Sequence, residues 1–106
     1  MAGSAAVTRA MIAAYAPGLL GPEMAPAAIA RFDDGARRYG AENHCQPEFP
    51  LAQEALEEAL DLFNFGAMGL STGKLTQHVG EGIMQCAAEA VSLLTDKPLP
   101  LIWPEV

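Results

Sequence analysis

The chain of 106 residues carries six basic and thirteen acidic side chains, which gives a net charge of −7. This length allows one domain with one hydrophobic core, and the acidic excess excludes a nucleic-acid backbone as the partner. Half of the residues are hydrophobic, but only 7% are aromatic. The composition therefore predicts a single all-α domain with a core of small and aliphatic side chains.

Two further features indicate where the protein works. No apolar run approaches the roughly 18 residues of a membrane-spanning helix, so we expect a soluble protein without a membrane partner. Cys45 and Cys86 form no C-x-x-C pair, which favours free thiols in a reducing compartment. The sequence thus predicts a cytoplasmic protein.

The first half of the chain predicts two helices, over residues 5–16 and 26–39. The first is rich in alanine and is expected to end by Ala16, because Pro17 and Gly18 interrupt a helix. The second begins near a proline suited to a first helical turn and ends at Gly40. Residues 41–50 contain two prolines and no apolar period, which indicates a loop.

The second half predicts two longer helices, over residues 51–69 and 75–95, separated by a turn rich in glycine and serine. The tail over residues 97–106 contains three prolines and is expected to run extended. Its Leu101-Ile102-Trp103 segment should seek a hydrophobic surface. We expect a small bundle of four helices, which dimerises through helical pairs.

An acidic stripe is the most informative feature of the third helix. At 100° per residue, its four carboxylates share an arc of about 100° without an interleaved basic residue; they are Glu54, Glu57, Glu58 and Asp61. Such a stripe is often a solvated helix face. However, Phe65 and Met68 continue the same arc, and a solvated face would leave both exposed. We therefore expect the stripe to face protein or ligand, and Mg²⁺ is the cation that these oxygens suit.

Two stretches resemble phage-type MazG-like proteins of the all-α nucleoside triphosphate pyrophosphohydrolases. They are residues 37–43, Arg-Arg-Tyr-Gly-Ala-Glu-Asn, and residues 54–65, which include Glu58-Ala-Leu-Asp61. That superfamily pairs an E-x-x-E on one helix with an E-x-x-D on the next, and Glu58-Ala-Leu-Asp61 matches the second motif. The preceding helix offers Asp33 and Asp34 in place of the first motif.

The resemblance implies Mg²⁺-dependent (or Mn²⁺-dependent) hydrolysis of a (deoxy)nucleoside triphosphate to the monophosphate and pyrophosphate. Glu54, Glu58 and Asp61 would be metal ligands, and Glu57 would be a ligand or the catalytic base. The nucleotide would be contacted by side chains outside the stripe, namely Arg38, Asn64 and Lys74. The resemblance also implies a homodimer or tetramer.

The competing hypothesis is a non-catalytic, homo-oligomeric binding or assembly module. The preceding helix lacks an E-x-x-E motif, since Glu54-Ala-Leu-Glu57 lies on the same helix as the E-x-x-D. This favours the alternative, and so does the apolar tail. A thiol nucleophile at Cys45, with His44 as its base, is a weaker hypothesis, because adjacent residues rarely orient in that way.

Overall fold

The computed structural model describes residues 4–100 and 102–104. Within these residues the secondary structure consists of four α-helices and one 3-10 turn, without strands, which confirms the all-α class. The chain divides into two compact units, Met1–Phe49 and Pro50–Val106, which we describe separately. None of the described helices is both long enough and apolar enough to cross a membrane.

The first unit pairs α1 (Ala5–Leu20) with α2 (Ala25–Tyr39), which is followed by the 3-10 turn (Asn43–Cys45). The N-terminus of α1 is capped by Ser4, whose hydroxyl accepts a hydrogen bond from the Val7 amide at 3.2 Å. A second acceptor comes from far along the chain. The Glu42 carboxylate binds the Ala5 amide at 3.0 and 3.1 Å, where its charge also complements the helix dipole.

The first helix extends four residues beyond its predicted end at Ala16, because Pro17 lies inside α1. A proline has a helical φ, so three further residues continue the helix, although Pro17 lacks an amide donor and its ring crowds the carbonyl four residues earlier. The helix ends instead at Gly21, whose φ of +89° is accessible to glycine. The predicted end of α2 at Gly40 is confirmed, since Gly40 has φ +95° and donates its amide to the Ala36 carbonyl.

The second unit is a helical hairpin of α3 (Leu51–Thr72) and α4 (Gln77–Thr95). The predicted turn began at residue 69, but α3 continues for three more residues. Ser71 and Thr72 satisfy their hydroxyls within the helix, donating to the Met68 carbonyl at 3.2 and 2.7 Å. Gly73, in the left-handed conformation, then ends the helix. The fourth helix begins two residues later than predicted, capped by the Thr76 hydroxyl.

The two helices of the hairpin approach closely at two glycines. A Cβ added to Gly66 would lie 2.9 Å from the Gly80 carbonyl oxygen and 2.8 Å from the Cγ of Met84. Both glycines are buried. The contact between the helices therefore depends on the missing side chains of Gly66 and Gly80, which let the backbone and the side chains of Met84 and Leu70 approach closely.

The described core is correspondingly small. Its buried hydrophobic residues are all alanines, namely Ala16, Ala25, Ala59 and Ala87, and no large described side chain is fully buried. The tail after α4 runs without regular structure through residues 97–100 and 102–104, as the prolines predicted. Leu101 lies outside the described residues.

Candidate functional site

The acidic stripe lies on the outer surface of α3. All four carboxylates are exposed, on the side of the helix opposite the buried Ala59 and Gly66 that face α4. Glu57 accepts a hydrogen bond from Gln53 at 3.3 Å. The ion pairs of the described chain involve other acids, so no described basic side chain neutralises the stripe.

These carboxylates do not by themselves fit a resident Mg²⁺ ion. Their oxygens have the right chemistry, but the described residues contain no group of three or more acidic, histidine or cysteine side chains placed to hold a metal. An octahedral Mg²⁺ shell is completed by waters and substrate oxygens in many proteins, yet it still needs convergent ligands. The predicted metal roles of Glu54, Glu58 and Asp61 stay predictions.

Two apolar side chains extend the stripe, as the sequence predicted. Phe65 is 62% exposed and Met68 is 49% exposed. Many other large apolar side chains of the described chain are exposed to a similar extent, so these two do not by themselves distinguish the face from a solvated one. The face is a candidate contact surface because it combines these apolar side chains with four carboxylates.

Two of the other predicted site residues lie in the second unit, at different distances from the stripe, and one lies in the first unit. Asn64 is exposed, one turn after Asp61, and is the closest of them along α3. Lys74 follows the end of α3. That end lies roughly 17 Å farther along the helix axis than Asp61, at a rise of 1.5 Å per residue. Arg38 lies in the first unit, where its Nε contacts the Asp34 carboxylate at 3.2 Å.

The acids that occupy the position of the missing E-x-x-E are already paired. Asp33 accepts two hydrogen bonds from the Arg9 guanidinium, each at 3.0 Å, and this interaction lowers the pKa of the Asp33 carboxyl. Asp34 contacts both Arg37 and Arg38. These acids therefore serve as ion-pair partners of nearby arginines within the first unit.

A polar cluster around His44 was not predicted from the sequence. Its Nε2 lies 2.9 Å from the Thr8 hydroxyl and 3.4 Å from the Cys45 sulfur, and its ring packs edge-on against Phe32 with centroids 5.6 Å apart. The thiol is nevertheless a poor nucleophile. Burial is the main cause that raises the pKa of Cys45, and the neighbouring Glu42 raises it further, so less of the reactive thiolate is present. The cluster joins α1, α2 and the 3-10 turn.

A groove in the second unit lies between the hairpin and the tail. It encloses about 430 Å³, within the range of small-molecule sites. Its walls are mostly apolar, with Phe63 and Met84 from the helices and Trp103 from the tail. Within the part of the chain that the structure describes, Glu81 contributes the single charged side chain of the lining. The sequence predicted that the Leu101-Ile102-Trp103 segment would seek a hydrophobic surface. Trp103 lines this groove, but it is 51% exposed and Ile102 is 85% exposed, so the tail covers the groove only in part.

Comparison with known protein families, curated proteins and solved structures finds no match to this chain. The MazG-like resemblance therefore stays a prediction based on residues 37–43 and 54–65.

Proposed function

We propose that the chain is a self-associating helical module and that its principal partner is a second copy of itself. The observation that carries this proposal is the small core, in which alanines are the buried hydrophobic residues of the described chain. Hydrophobic burial is the main favourable contribution to folding, and a chain that is 51% hydrophobic gains little of it in this form. Association supplies the missing burial.

One surface of the hairpin is suited to that association. We call it the open flank, because it lies on the opposite side of the hairpin from the groove; it consists of Leu62, Val79, Ile83, Cys86 and Leu94. Leu62, Val79 and Leu94 are 39 to 44% exposed. The four flank residues on α4 share an arc of about 80° around the helix, and no charged residue of α4 lies within that arc. On α3, Glu58 lies one turn before Leu62, so the acidic stripe borders the open flank there.

A second copy is the natural occupant of the open flank. Two antiparallel hairpins that bury equivalent flanks form a four-helix bundle, and a two-fold axis lets each copy offer the same surface. A standard interface uses about 20 to 30 residues on each side. The open flank has five residues, so an interface of this size also includes neighbouring residues of the two helices, which have 22 and 19 residues.

The test is the molar mass in solution across a range of protein concentrations, measured by sedimentation velocity. We expect the wild type to form dimers or tetramers. Val79→Lys should shift the chain toward monomers, because it places a charge on the open flank. The matched control is His78→Lys, which places the same side chain at the exposed position just before Val79. Because His78 lies outside the open flank, this variant should leave the molar mass unchanged. A wild type that is monomeric throughout would refute the proposal, and so would equal effects of the two variants.

A second candidate function is Mg²⁺-dependent hydrolysis of (deoxy)nucleoside triphosphates. It is favoured by the four unneutralised carboxylates of the stripe, which share their face with the exposed Phe65 and Met68. Because one copy does not supply a convergent ligand set, this activity requires further ligands from another copy or from the substrate. The cation should then stabilise the assembled protein.

Thermal unfolding with and without millimolar Mg²⁺, followed by an assay for pyrophosphate release, tests this candidate. We expect Mg²⁺ to raise the midpoint of wild type and of Glu89→Gln, which removes one acid from α4 as a matched control. Asp61→Asn should abolish both the rise and the release of pyrophosphate. If Mg²⁺ leaves the wild-type midpoint unchanged and no pyrophosphate forms, the hydrolase is excluded and the assembly module stands alone.

A further inference from the structure

We propose that the groove between the hairpin and the tail binds a small organic cation with an apolar body, such as a substituted ammonium. This site is independent of the open flank and of the acidic stripe, so the inference does not rest on the proposed function. The argument depends on the size, the walls and the charge of the groove.

The size and walls suit a small ligand with an apolar body. A cavity of about 430 Å³ accommodates a molecule of one ring with a short chain. Phe63 contributes an aromatic ring from α3, and Met84 contributes a flexible thioether from α4. Methionine adapts its shape to different apolar groups, so the thioether of Met84 can accommodate ligands of different shape.

The charge of the groove selects a cation. Glu81 is partly buried in α4 and is the only charged residue among the described residues that line the groove. It has no ion-pair partner among the described residues. A partly desolvated carboxylate without a partner favours a positive group beside it. Gln77 and Gln85, one turn before and after Glu81 on the same side of α4, add neutral hydrogen-bonding groups.

The aromatic walls strengthen this selection. The electron-rich face of a tryptophan or phenylalanine ring attracts ammonium groups, and tryptophan does so most strongly. Trp103 and Phe63 line the groove from opposite elements, the tail and α3. A carboxylate together with two aromatic side chains is a suitable environment for an organic cation, whereas an anion would meet the charge of Glu81.

The single tryptophan of the chain makes the test direct. We would titrate the full-length protein with three molecules of similar size, namely phenethylammonium, 2-phenylethanol and 3-phenylpropionate, and record the fluorescence of Trp103. The cation should bind roughly tenfold more tightly than the alcohol, and the carboxylate should bind most weakly. Glu81→Gln should remove the preference for the cation while leaving the affinity for the alcohol unchanged.

Glu89→Gln is the matched control, because it removes one negative charge from the same helix at a position outside the groove lining. It should keep the tenfold preference. Equal losses in the two variants would show that the net charge of the protein, rather than the groove, attracts the cation, and would overturn the proposal. The proposal also fails if no probe changes the fluorescence, or if the cation and the alcohol bind equally. Circular dichroism of each variant confirms that the helices are intact.

Discussion

Arg9 and Asp33 show how a single ion pair ties two helices of the first unit together. Each oxygen of the carboxylate accepts one guanidinium hydrogen bond, an arrangement that fixes the orientation of both groups. Because Arg9 lies on α1 and Asp33 on α2, the pair depends on the packing of these helices. The pair is exposed to solvent, so its contribution to the free energy of unfolding is small. The change of this contribution with pH is the clearest way to detect it.

We expect Asp33 to contribute to stability at neutral pH and to lose this contribution in acid. The hydrogen bond from Arg9 lowers the folded-state pKa of Asp33 below its ordinary value of 3.8. A lowered pKa means that the contribution is complete above 3.8 and disappears as the pH falls through the folded-state value.

The unfolding midpoint should therefore be compared between wild type and Asp33→Asn from pH 6 to pH 2. The gap between them should close at the acidic end. Arg9→Gln serves as the control, because it should reproduce the gap at pH 6 and show no additional loss when combined with Asp33→Asn. A gap that is constant with pH would contradict the prediction.

Local chemistry made some residues predictable and left others hidden. Gly40 ends α2 because its positive φ is a local property, visible in the sequence as a glycine after an apolar period. Pro17 is the opposite case, because the helix continues through it although one amide hydrogen bond is lost. The contact between Thr8 and His44 spans 36 positions, so no local pattern revealed it.

At the scale of the elements, the glycines of the hairpin have two different roles. Gly66 lies where a side chain would meet the backbone of α4, whereas Gly82 has open space around its Cα. Both lie inside helices, where alanine is intrinsically better than glycine by about 1 kcal/mol. Substitution by alanine should therefore have opposite effects at the two positions.

Gly66→Ala should destabilise the hairpin, because overpacking against the immobile Gly80 carbonyl costs about 1 to 3 kcal/mol and exceeds the gain in helix propensity. Gly82→Ala should raise the free energy of unfolding by up to about 1 kcal/mol. Urea denaturation of both variants measures these changes. If Gly66→Ala were as stable as Gly82→Ala, the close approach of the two helices would be disproved.

The helices themselves were largely predictable, while their ends depended on side-chain contacts. The hydrophobic period of α3 and α4 identified both elements. The end of α3 shifted from residue 69 to Thr72, because Ser71 and Thr72 form hydrogen bonds within the helix that a pattern of turn-forming residues does not reveal. The stripe was placed correctly on one face of α3. Whether it binds a metal depends on ligands that its own helix does not provide.

For the whole molecule, the small described core predicts that stability depends on protein concentration. If association buries apolar surface that stays exposed in a single copy, dilution favours the unfolded chain by mass action. A tenfold dilution changes the free energy of a dimer by about 1.4 kcal/mol. This corresponds to a fall in the unfolding midpoint of roughly 3 to 6 °C for about 200 residues in total.

Circular dichroism melts over a hundredfold range of concentration measure this dependence. The Val79→Lys variant provides the comparison, because its midpoint should be lower and should no longer vary with concentration. An invariant wild-type midpoint would show that each copy is stable alone, and the exposed apolar residues would then need another explanation.

The hydrogen bonds between the Ala5 amide, at the start of α1, and the Glu42 carboxylate can form only late in synthesis of the first unit. Ala5 leaves the ribosome long before its distant acceptor, which is 37 positions later. The first turn of α1 can be held by Ser4 at that stage, but the Ala5 amide gains its partner only when the 3-10 turn region has emerged. Hydrogen exchange at the Ala5 amide therefore reports on closure of a loop that lies at the other end of the first unit, and Glu42→Gln should accelerate that exchange.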